Sequence, residues 1–413
     1  MIHFTNLGDT TKKPSILFIN RVYPPSNEAT GRLLKLTAVY LQNHGWDVTV
    51  IHTNAFQGGS SGNERTDVSE IRITDAGVSK HNLWARFRSY LRLYPCLLLA
   101  SLNSGTQDVV VSMTDPPMLH LLGLLIAWRK KAKHIYWAQD LFPEIAAATG
   151  VFHPSGFIKS LLTGLNRLIL PHVDLAIVVG RCMIPKITLQ GVTPKRIRLV
   201  RNIGMERDIH PIKHDANPMR ESLDRCNQFV VCYSGNLGRA HDMDCMLKAA
   251  ESLQEKGDNG VVFLIVGGGA GIPSLKEAIK ERNLRNILLK PGVPLEQLSE
   301  SLSTADLHLV TMKPEACGLL VPCKFYGILA SGRPCAFIGP EDSEVAMHLK
   351  EHGGGIVIPN GDPVTLVDFI EKLRDQPDLA RELGLKARCS LKSYTDAAEE
   401  FYNHLNELTS SKS

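Results

Sequence analysis

The feature that most constrains this chain is a repeating unit: a short apolar run, a turn, then a stretch of helical periodicity. SILFIN (15–20) reads as a strand. From Glu28 to His44 the residues Leu33, Leu34, Thr37, Ala38 and Leu41 recur at helical spacing, and Gly45 stops the pattern. DVTVIHT (47–53), EIRIT (70–74), DVVVSMT (108–114), KHIYWAQ (133–139) and DLAIVVG (174–180) continue as strands, with helices in most of the gaps. Strands alternating with helices imply parallel pairing, because a crossover must return the chain to the same edge of the sheet.

IRLVRNIG (197–204) closes this series, and a polar segment with Pro211, His214, Asp215 and Pro218 reads as a linker. FVVCYSG (229–235), VVFLIVGGG (261–269), NILLKPG (286–292), LHLVTM (307–312), PCAFIG (334–339) and GGIVIP (354–359) then form a second set. These runs are continuously apolar, as in a sheet covered on both faces. The expected fold is α/β, with two Rossmann-like doubly wound parallel-sheet domains facing a cleft. The domains are expected at 1–205 and 206–390, with a helix over 391–413 packing back toward the first.

Composition narrows the partners. The net charge of +4 is spread along the chain, with no basic stripe interleaved with aromatics, so nucleic acid is not expected. Nine cysteines form no CxxC pair and no zinc spacing; most sit in apolar segments and read as reduced core thiols. The opening MIHFTNLGDTTKK is polar and reads as a loose tail. The longest apolar run, around Pro117 to Trp128, falls short of the roughly 20 residues that cross a bilayer. The expected location is therefore cytoplasmic.

Ligands of such sheets bind beyond the carboxyl ends of the strands, so the loops there carry the functional reading. In RVYPPSNEATGRLL (21–34), Gly31 and Arg32 suit a phosphate at a helix start, although an ordinary strand–helix turn would look the same. YSGNLGR (233–239) is more specific. Gly235 permits close backbone approach, and Arg239 can hold two phosphate oxygens, which makes a diphosphate cradle without a Walker lysine. A glycine-rich turn with a surface arginine is the alternative. VGGGAG (266–271) lacks the spacing for a dinucleotide, with Ile272 where the third fingerprint glycine belongs.

TMKPEACGLLVPCKFYGILASGRP (311–334) is the most informative stretch. A strand ends in a loop bearing Glu315, Gly318 and Leu319, and a helix opening near Pro322 carries Lys324 in its first turn. A glutamate can accept from sugar hydroxyls, and a lysine at a helix start adds charge where phosphate would lie. In DLFPE, Asp140 and Glu144 could orient or deprotonate an acceptor hydroxyl, or simply cap the following helix. Asp115 carries the same ambiguity, while His120 and His134 read as packing residues. LWARFRSYLRLY (83–94) sets Leu83, Trp84, Phe87, Tyr90, Leu91 and Tyr94 on one side of a helical wheel, with Arg86, Arg88 and Arg92 on the other. GFIKSLLTGLNRLIL (156–170) is a milder version. Either could lie in a lipid headgroup layer or face a core.

Nearly the whole chain resembles family 4 of the retaining glycosyltransferases. The resemblance rests on YPPSNEATGR, WAQDLFPEIAAATG (137–150), VRN (200–202), YSGNLGRAHD (233–242), PGV (291–293) and VPCKFYGILASGRP (321–334). It is nearest the bacterial branch that builds O-antigen and exopolysaccharide, including the N-acetyl-L-fucosamine transferases. It implies the GT-B fold and sugar transfer from a nucleotide-sugar, UDP-linked above all, to a saccharide or polyprenyl-diphosphate-saccharide at the cytoplasmic membrane surface. It also implies no cofactor and no essential metal.

By that resemblance Gly235, Asn236 and Arg239 would face the donor diphosphate, and Gly292 and Val293 would flank the base. Glu315 would match the first glutamate of the Ex7E motif, and Lys324 the lysine of a PSK variant, here PCK. Two positions depart from the pattern. The second motif glutamate aligns with Gly327, and the lysine expected six residues after Arg239 is Cys245. A sugar-nucleotide 2-epimerase and a non-catalytic nucleotide-sugar-binding partner are the rival readings.

Overall fold

A computed structural model describes residues 13–26, 28–53, 67–74, 83–151, 153–223 and 227–410, with backbone alone for 83–87. Among the described residues thirteen strands form two all-parallel sheets. The first contains β1 (Ser15–Ile19), β2 (Asp47–Thr53), β3 (Ser69–Ile73), β4 (Val109–Ser112), β5 (Lys133–Ala138), β6 (Leu175–Val178) and β7 (Ile197–Leu199), in the order β3-β2-β1-β4-β5-β6-β7. The second contains β8 (Phe229–Ser234), β9 (Val261–Val266), β10 (Ile287–Lys290), β11 (Leu307–Thr311), β12 (Cys335–Ile338) and β13 (Gly355–Ile358), in the order β10-β9-β8-β11-β12-β13. Every strand expected from the sequence is present, and the parallel architecture is as expected.

The continuous apolar runs have a direct structural cause. Side chains alternate across a strand, so a sheet buried on both faces needs apolar residues at every position. In β8, Val231 and Tyr233 enter one buried cluster, with Phe263, Ile265 and Leu309. Val230 and Cys232 enter another on the opposite face, with Val262 and Leu264. β1 is equally enclosed: Ile16, Leu17, Phe18 and Ile19 are all fully buried.

Packing groups the chain into two compact units, one of residues 1–137, 172–176 and 401–413, the other of 138–171 and 177–400. Division by sheets near residue 205 and grouping by packing therefore differ over 138–171 and 177–204. In the first unit the last helix (Ala397–Ser410) sets Phe401 against Phe18 and Trp137, with ring centroids 5.8 and 4.8 Å apart. Tyr402 meets Tyr40 edge-on at 5.9 Å.

Each sheet has one point where the strand order reverses, between β1 and β4 and between β8 and β11. The chain runs outward from β8 through β9 to β10, then returns to β11 and runs out the other way. The loops after β8 and β11 therefore diverge from a common crevice, which is where ligands of open α/β sheets sit. Those loops are YSGNLGR and MKPEACG.

The amphipathic stripe of residues 83–94 resolves differently from its helical wheel. Leu83, Trp84 and Phe87 lie outside the described side chains. Tyr90 and Tyr94 pack on the core of the first unit, and the Tyr94 hydroxyl donates to Pro117 O. Leu91, by contrast, is exposed. Because both tyrosines take core positions, the described part of the stripe is not a single solvent-facing surface.

Candidate functional site

The second sheet assembles its site from backbone first. Gly235 N donates to Val266 O at 2.8 Å and Gly267 N to Lys290 O at 3.0 Å, which carries the parallel ladder past the strand ends. Leu237 N then donates to Gly268 O at 2.7 Å, and Gly271 N returns to Leu237 O at 2.9 Å. The two glycine loops thus lie one on the other. A Cβ at Gly267 would stand 2.2 Å from Gly235 O, and its φ of +139° is closed to ordinary side chains. This is the structural reason for VGGGAG: the glycines permit close packing under the cradle. Gly292 follows on the same edge, its Cβ position 3.7 Å from Gly267 Cα, and Val293 packs partly buried beside it.

Lys324 opens the short helix Lys324–Ala330 and reaches into this cradle. Its Nζ donates to the Tyr233 hydroxyl, lies 3.8 Å from the centroid of that ring, and is 3.4 Å from Asn236 O. The Lys324 methylenes also fill the space beside Gly235, with Cε 3.3 Å from where a Cβ would be. No carboxylate within ion-pairing distance is found for it among the described residues. Burial pushes its pKa down to about 7, only slightly offset by Cys323. An ammonium held without a carboxylate beside a concave run of backbone has the charge to pair with an anion.

The cradle is braced by β11. His241 Nδ1 lies 2.7 Å from Thr311 O, and burial, helped by Lys324 and Lys313, pushes this histidine down to about 4. Asn360 Nδ2 donates to Met312 O at 3.0 Å and Asp242 Oδ2 at 3.2 Å, tying the loop after β13 to both. Asn236 and Arg239 are exposed at the cradle rim. No ion pair of Arg239 is found among the described residues, so its guanidinium can turn toward a ligand.

Cys245 stands where the resemblance calls for a second lysine. It is fully buried in the Asp244–Glu255 helix and belongs to the core, so no cation could be presented from there without rebuilding it. Gly327 also faces inward. A Cβ there would make ordinary contact with Ile209 Cδ1 at 3.4 Å and Leu302 Cδ1 at 3.5 Å. The literal Ex7E spacing from Glu315 falls on Cys323, which precedes Lys324 at the helix start.

Glu315 is exposed on the 3-10 turn Pro314–Ala316 after β11. Gly318 follows with φ +73° and fits closely against residue 182: a Cβ would approach Cys182 O to 2.6 Å. Leu319 N closes the turn on Ala316 O at 3.0 Å, and Leu319 O accepts from Leu141 N at 2.8 Å. That bond joins the loop to the DLFPE segment inside the second unit. Asp140, just before Leu141, is exposed. Glu144 begins the helix Glu144–Ala148 and accepts from Thr163 Oγ1 at 3.2 Å, while its Oε2 is buried with no hydrogen-bond partner. Its carboxylate is thus partly committed to holding two helices together.

Two further candidates belong to the first unit. Gly31 is buried, and a Cβ there would meet Val22 Cγ1 at 3.0 Å and Tyr23 Cα at 3.1 Å, so its small size serves helix–loop packing. Arg32 is half-buried beside it. Asp115 is held by Arg21 through Nε at 2.8 Å and Nη2 at 2.5 Å, joining the loops after β1 and β4 at that sheet's own reversal point.

Sequence reasoning missed one buried ionic cluster. Glu344, 3% exposed at the start of the Glu344–His352 helix, accepts from Arg181 N at 2.6 Å and from Arg201 Nε at 2.9 Å. Arg201 in turn lies over the Tyr394 ring at 4.6 Å. Nothing local in GRCMIP or EDSEVA signals this pairing, which spans 163 residues. Tyr233 as the partner of Lys324 was also missed, although it is the first residue of YSGNLGR.

A pair of doubly wound parallel sheets, with crossed glycine loops at the reversal point of the second, defines the GT-B class of fold. The chain belongs to the glycosyltransferases: residues 30–202 match the glycosyl transferase 4-like domain and residues 216–389 the glycosyl transferases group 1 domain. It is 26% identical over 266 residues to the probable glycosyltransferase WbjE of Pseudomonas aeruginosa, an alignment covering 64% of this chain and 66% of that protein. It is 31% identical over 179 residues to the putative colanic acid biosynthesis glycosyl transferase WcaI of Escherichia coli K12, covering 43% of each. The matched regions thus span less than two thirds of these relatives. Among solved structures, sucrose-phosphate synthase from Thermosynechococcus elongatus superposes with a TM-score of 0.77 at 14% identity, over 97% of this chain and 100% of that one. Anabaena HepE in complex with UDP and glucose gives 0.70 at 15% identity, over 96% and 100%. At such identities the likeness is one of fold.

Proposed function

We propose that this chain is a retaining glycosyltransferase that moves a sugar from a UDP-sugar to a saccharide or polyprenyl-diphosphate-saccharide in polysaccharide assembly. The observation that carries this reading is Lys324, a half-buried ammonium without a carboxylate partner among the described residues, beside crossed glycine loops with Arg239 at their rim. A diphosphate supplies the missing counter-charge. The UDP bound by the HepE neighbour and the name of the WcaI relative agree in direction.

In the proposed reaction the bond between the anomeric carbon and the diphosphate oxygen breaks. The acceptor hydroxyl bonds to that carbon from the same face, and its proton leaves with the nucleoside diphosphate. Arg239, Lys324 and the backbone N–H groups of the cradle stabilise the charge that develops on the departing oxygens. Glu315 holds sugar hydroxyls, and Asp140 faces the acceptor. No metal is required, because fixed cations do its work.

The acceptor is proposed to lie at a membrane surface. The helix Phe157–Ile169 leaves Phe157, Ile158, Leu161 and Leu168 exposed, and Asn166 is its one buried residue. In the first unit Leu125 and Trp128, the latter 74% exposed, project from the helix Leu119–Lys130 just before Arg129, Lys130 and Lys131. Apolar residues beside cations fit the interface of an anionic bilayer. No helix among the described residues is long and apolar enough to cross a membrane.

The test is turnover. Incubated with UDP-sugars, the wild type is expected to release UDP in the presence of a saccharide acceptor and give a product with the donor's anomeric configuration. Glu315→Ala should lower kcat while leaving UDP affinity within about threefold. Binding without turnover under every acceptor condition would favour a non-catalytic role.

A further inference from the structure

The second unit has a cavity of about 470 Å³ at the opposite edge of its sheet from the cradle. Phe229, Asp306 and Pro334, which line it, stand at or just before the amino ends of β8, β11 and β12. Five arginines border the cavity, from four separate places in the chain: Arg220, Arg333, Arg374, and Arg381 with Arg388 on one helix. The lining holds one carboxylate, Asp306.

That carboxylate is already occupied. Asp306 Oδ2 accepts from Val230 N at 2.7 Å and from Arg220 Nη1 at 2.8 Å, and Oδ1 lies 3.5 Å from His214 Nδ1. Arg374 and Arg381 have their own partners, Asp258 and Asp378, outside the lining. Arg333 and Arg388 are left, and neither has an ion pair among the described residues. Arg333 Nη2 donates to Ile212 O and Ser303 O, both at 2.9 Å, which fixes the guanidinium, while its Nε is buried with no partner. Gln228 Oε1, also on this cavity, is a buried acceptor with no donor. Burial lowers the Arg333 pKa, while the neighbouring Asp306 and Arg220 charges act on it in opposite directions.

We propose that this cavity is a second anion site, separate from the donor cradle, which takes a phosphorylated and hydroxyl-bearing small molecule. Phosphate oxygens accept from Arg333 Nε and from Arg388, and a hydroxyl donates to Gln228 Oε1. One unpaired donor and one unpaired acceptor call for a ligand with both functions, and the cavity is larger than a bare ion needs. Arginine rather than lysine is the residue that gives directional, paired contacts to phosphate. The site lies at the far end of the helix that begins with Lys324, since Arg333 follows that helix by three residues.

Calorimetric titration of the full chain with glucose 1-phosphate and with inorganic phosphate, at about 150 mM salt to screen non-specific attraction, tests this directly. Glucose 1-phosphate is expected to bind saturably and more tightly than inorganic phosphate. Arg388→Gln, an exposed position with little risk to the fold, should weaken it about tenfold, the loss of one charged contact; Arg239→Gln at the cradle should leave it unchanged. Loss of binding in Arg239→Gln but not in Arg388→Gln would overturn the proposal, and so would the absence of saturable binding by either probe.

Discussion

Lys324 Nζ lies 3.8 Å from the centre of the Tyr233 ring and donates to the hydroxyl of the same residue, so one side chain both stacks under the ammonium and accepts from it. Neither interaction neutralises the charge. With burial holding its pKa near 7, Lys324 is the group whose protonation the donor should sense. The charged form predominates below about pH 7 and is lost above it. An anion bound beside it raises that pKa, so binding takes up a proton. Affinity for a nucleoside diphosphate is therefore expected to fall, by up to about tenfold per pH unit, between pH 7 and 9. Lys324→Met should lower affinity at pH 6.5 and flatten the profile, as read by titration across pH.

The crossed glycine loops make a paired stability prediction. Gly267→Ala puts a methyl group 2.2 Å from Gly235 O at a φ of +139°, and should cost more than about 3 kcal/mol, seen as a Tm drop of roughly 5–10 °C. Gly268→Ala, with nothing within 4 Å of its Cβ position, should unfold within about 2 °C of the wild type. Thermal denaturation of the two variants separates a packing role from a general intolerance of the loop.

Metal dependence can be read from a chelator series. Among the described residues no group of three or more histidine, cysteine or carboxylate side chains is arranged to hold a metal ion. UDP release in excess EDTA is expected to stay within about twofold of the untreated rate, since Arg239 and Lys324 provide the charge stabilisation. Activity lost to EDTA and restored by magnesium would assign that role to an ion.

Membrane contact is open to a flotation assay. Full-length protein is expected to co-float with vesicles containing anionic lipid, less so with neutral ones, and to lose binding as salt rises. Replacing Trp128 and Phe157 by glutamate, both more than 70% exposed, should reduce co-flotation several-fold without lowering Tm.

The sheets were legible in the sequence because enclosure on both faces leaves an unmistakable run such as VVFLIV, and the cradle because glycine at a strand end has few other uses. What escaped detection depends on distance along the chain. Glu344 is ordinary in EDSEVA, and only folding brings it to Arg181 and Arg201. The helical wheel of 83–94 left two readings open for a related reason: periodicity marks a sector, but not whether core or solvent faces it, and Tyr90 and Tyr94 took the core.

The most direct test of the account is titration of the purified chain with UDP, GDP and their sugar conjugates, alongside Arg239→Ala and Lys324→Met. The account predicts selective binding of one nucleoside diphosphate, UDP in the first instance, weakened at least about tenfold in each variant, as expected for loss of a charged hydrogen bond. It is contradicted if no nucleoside diphosphate binds, or if binding is the same after both cations are removed.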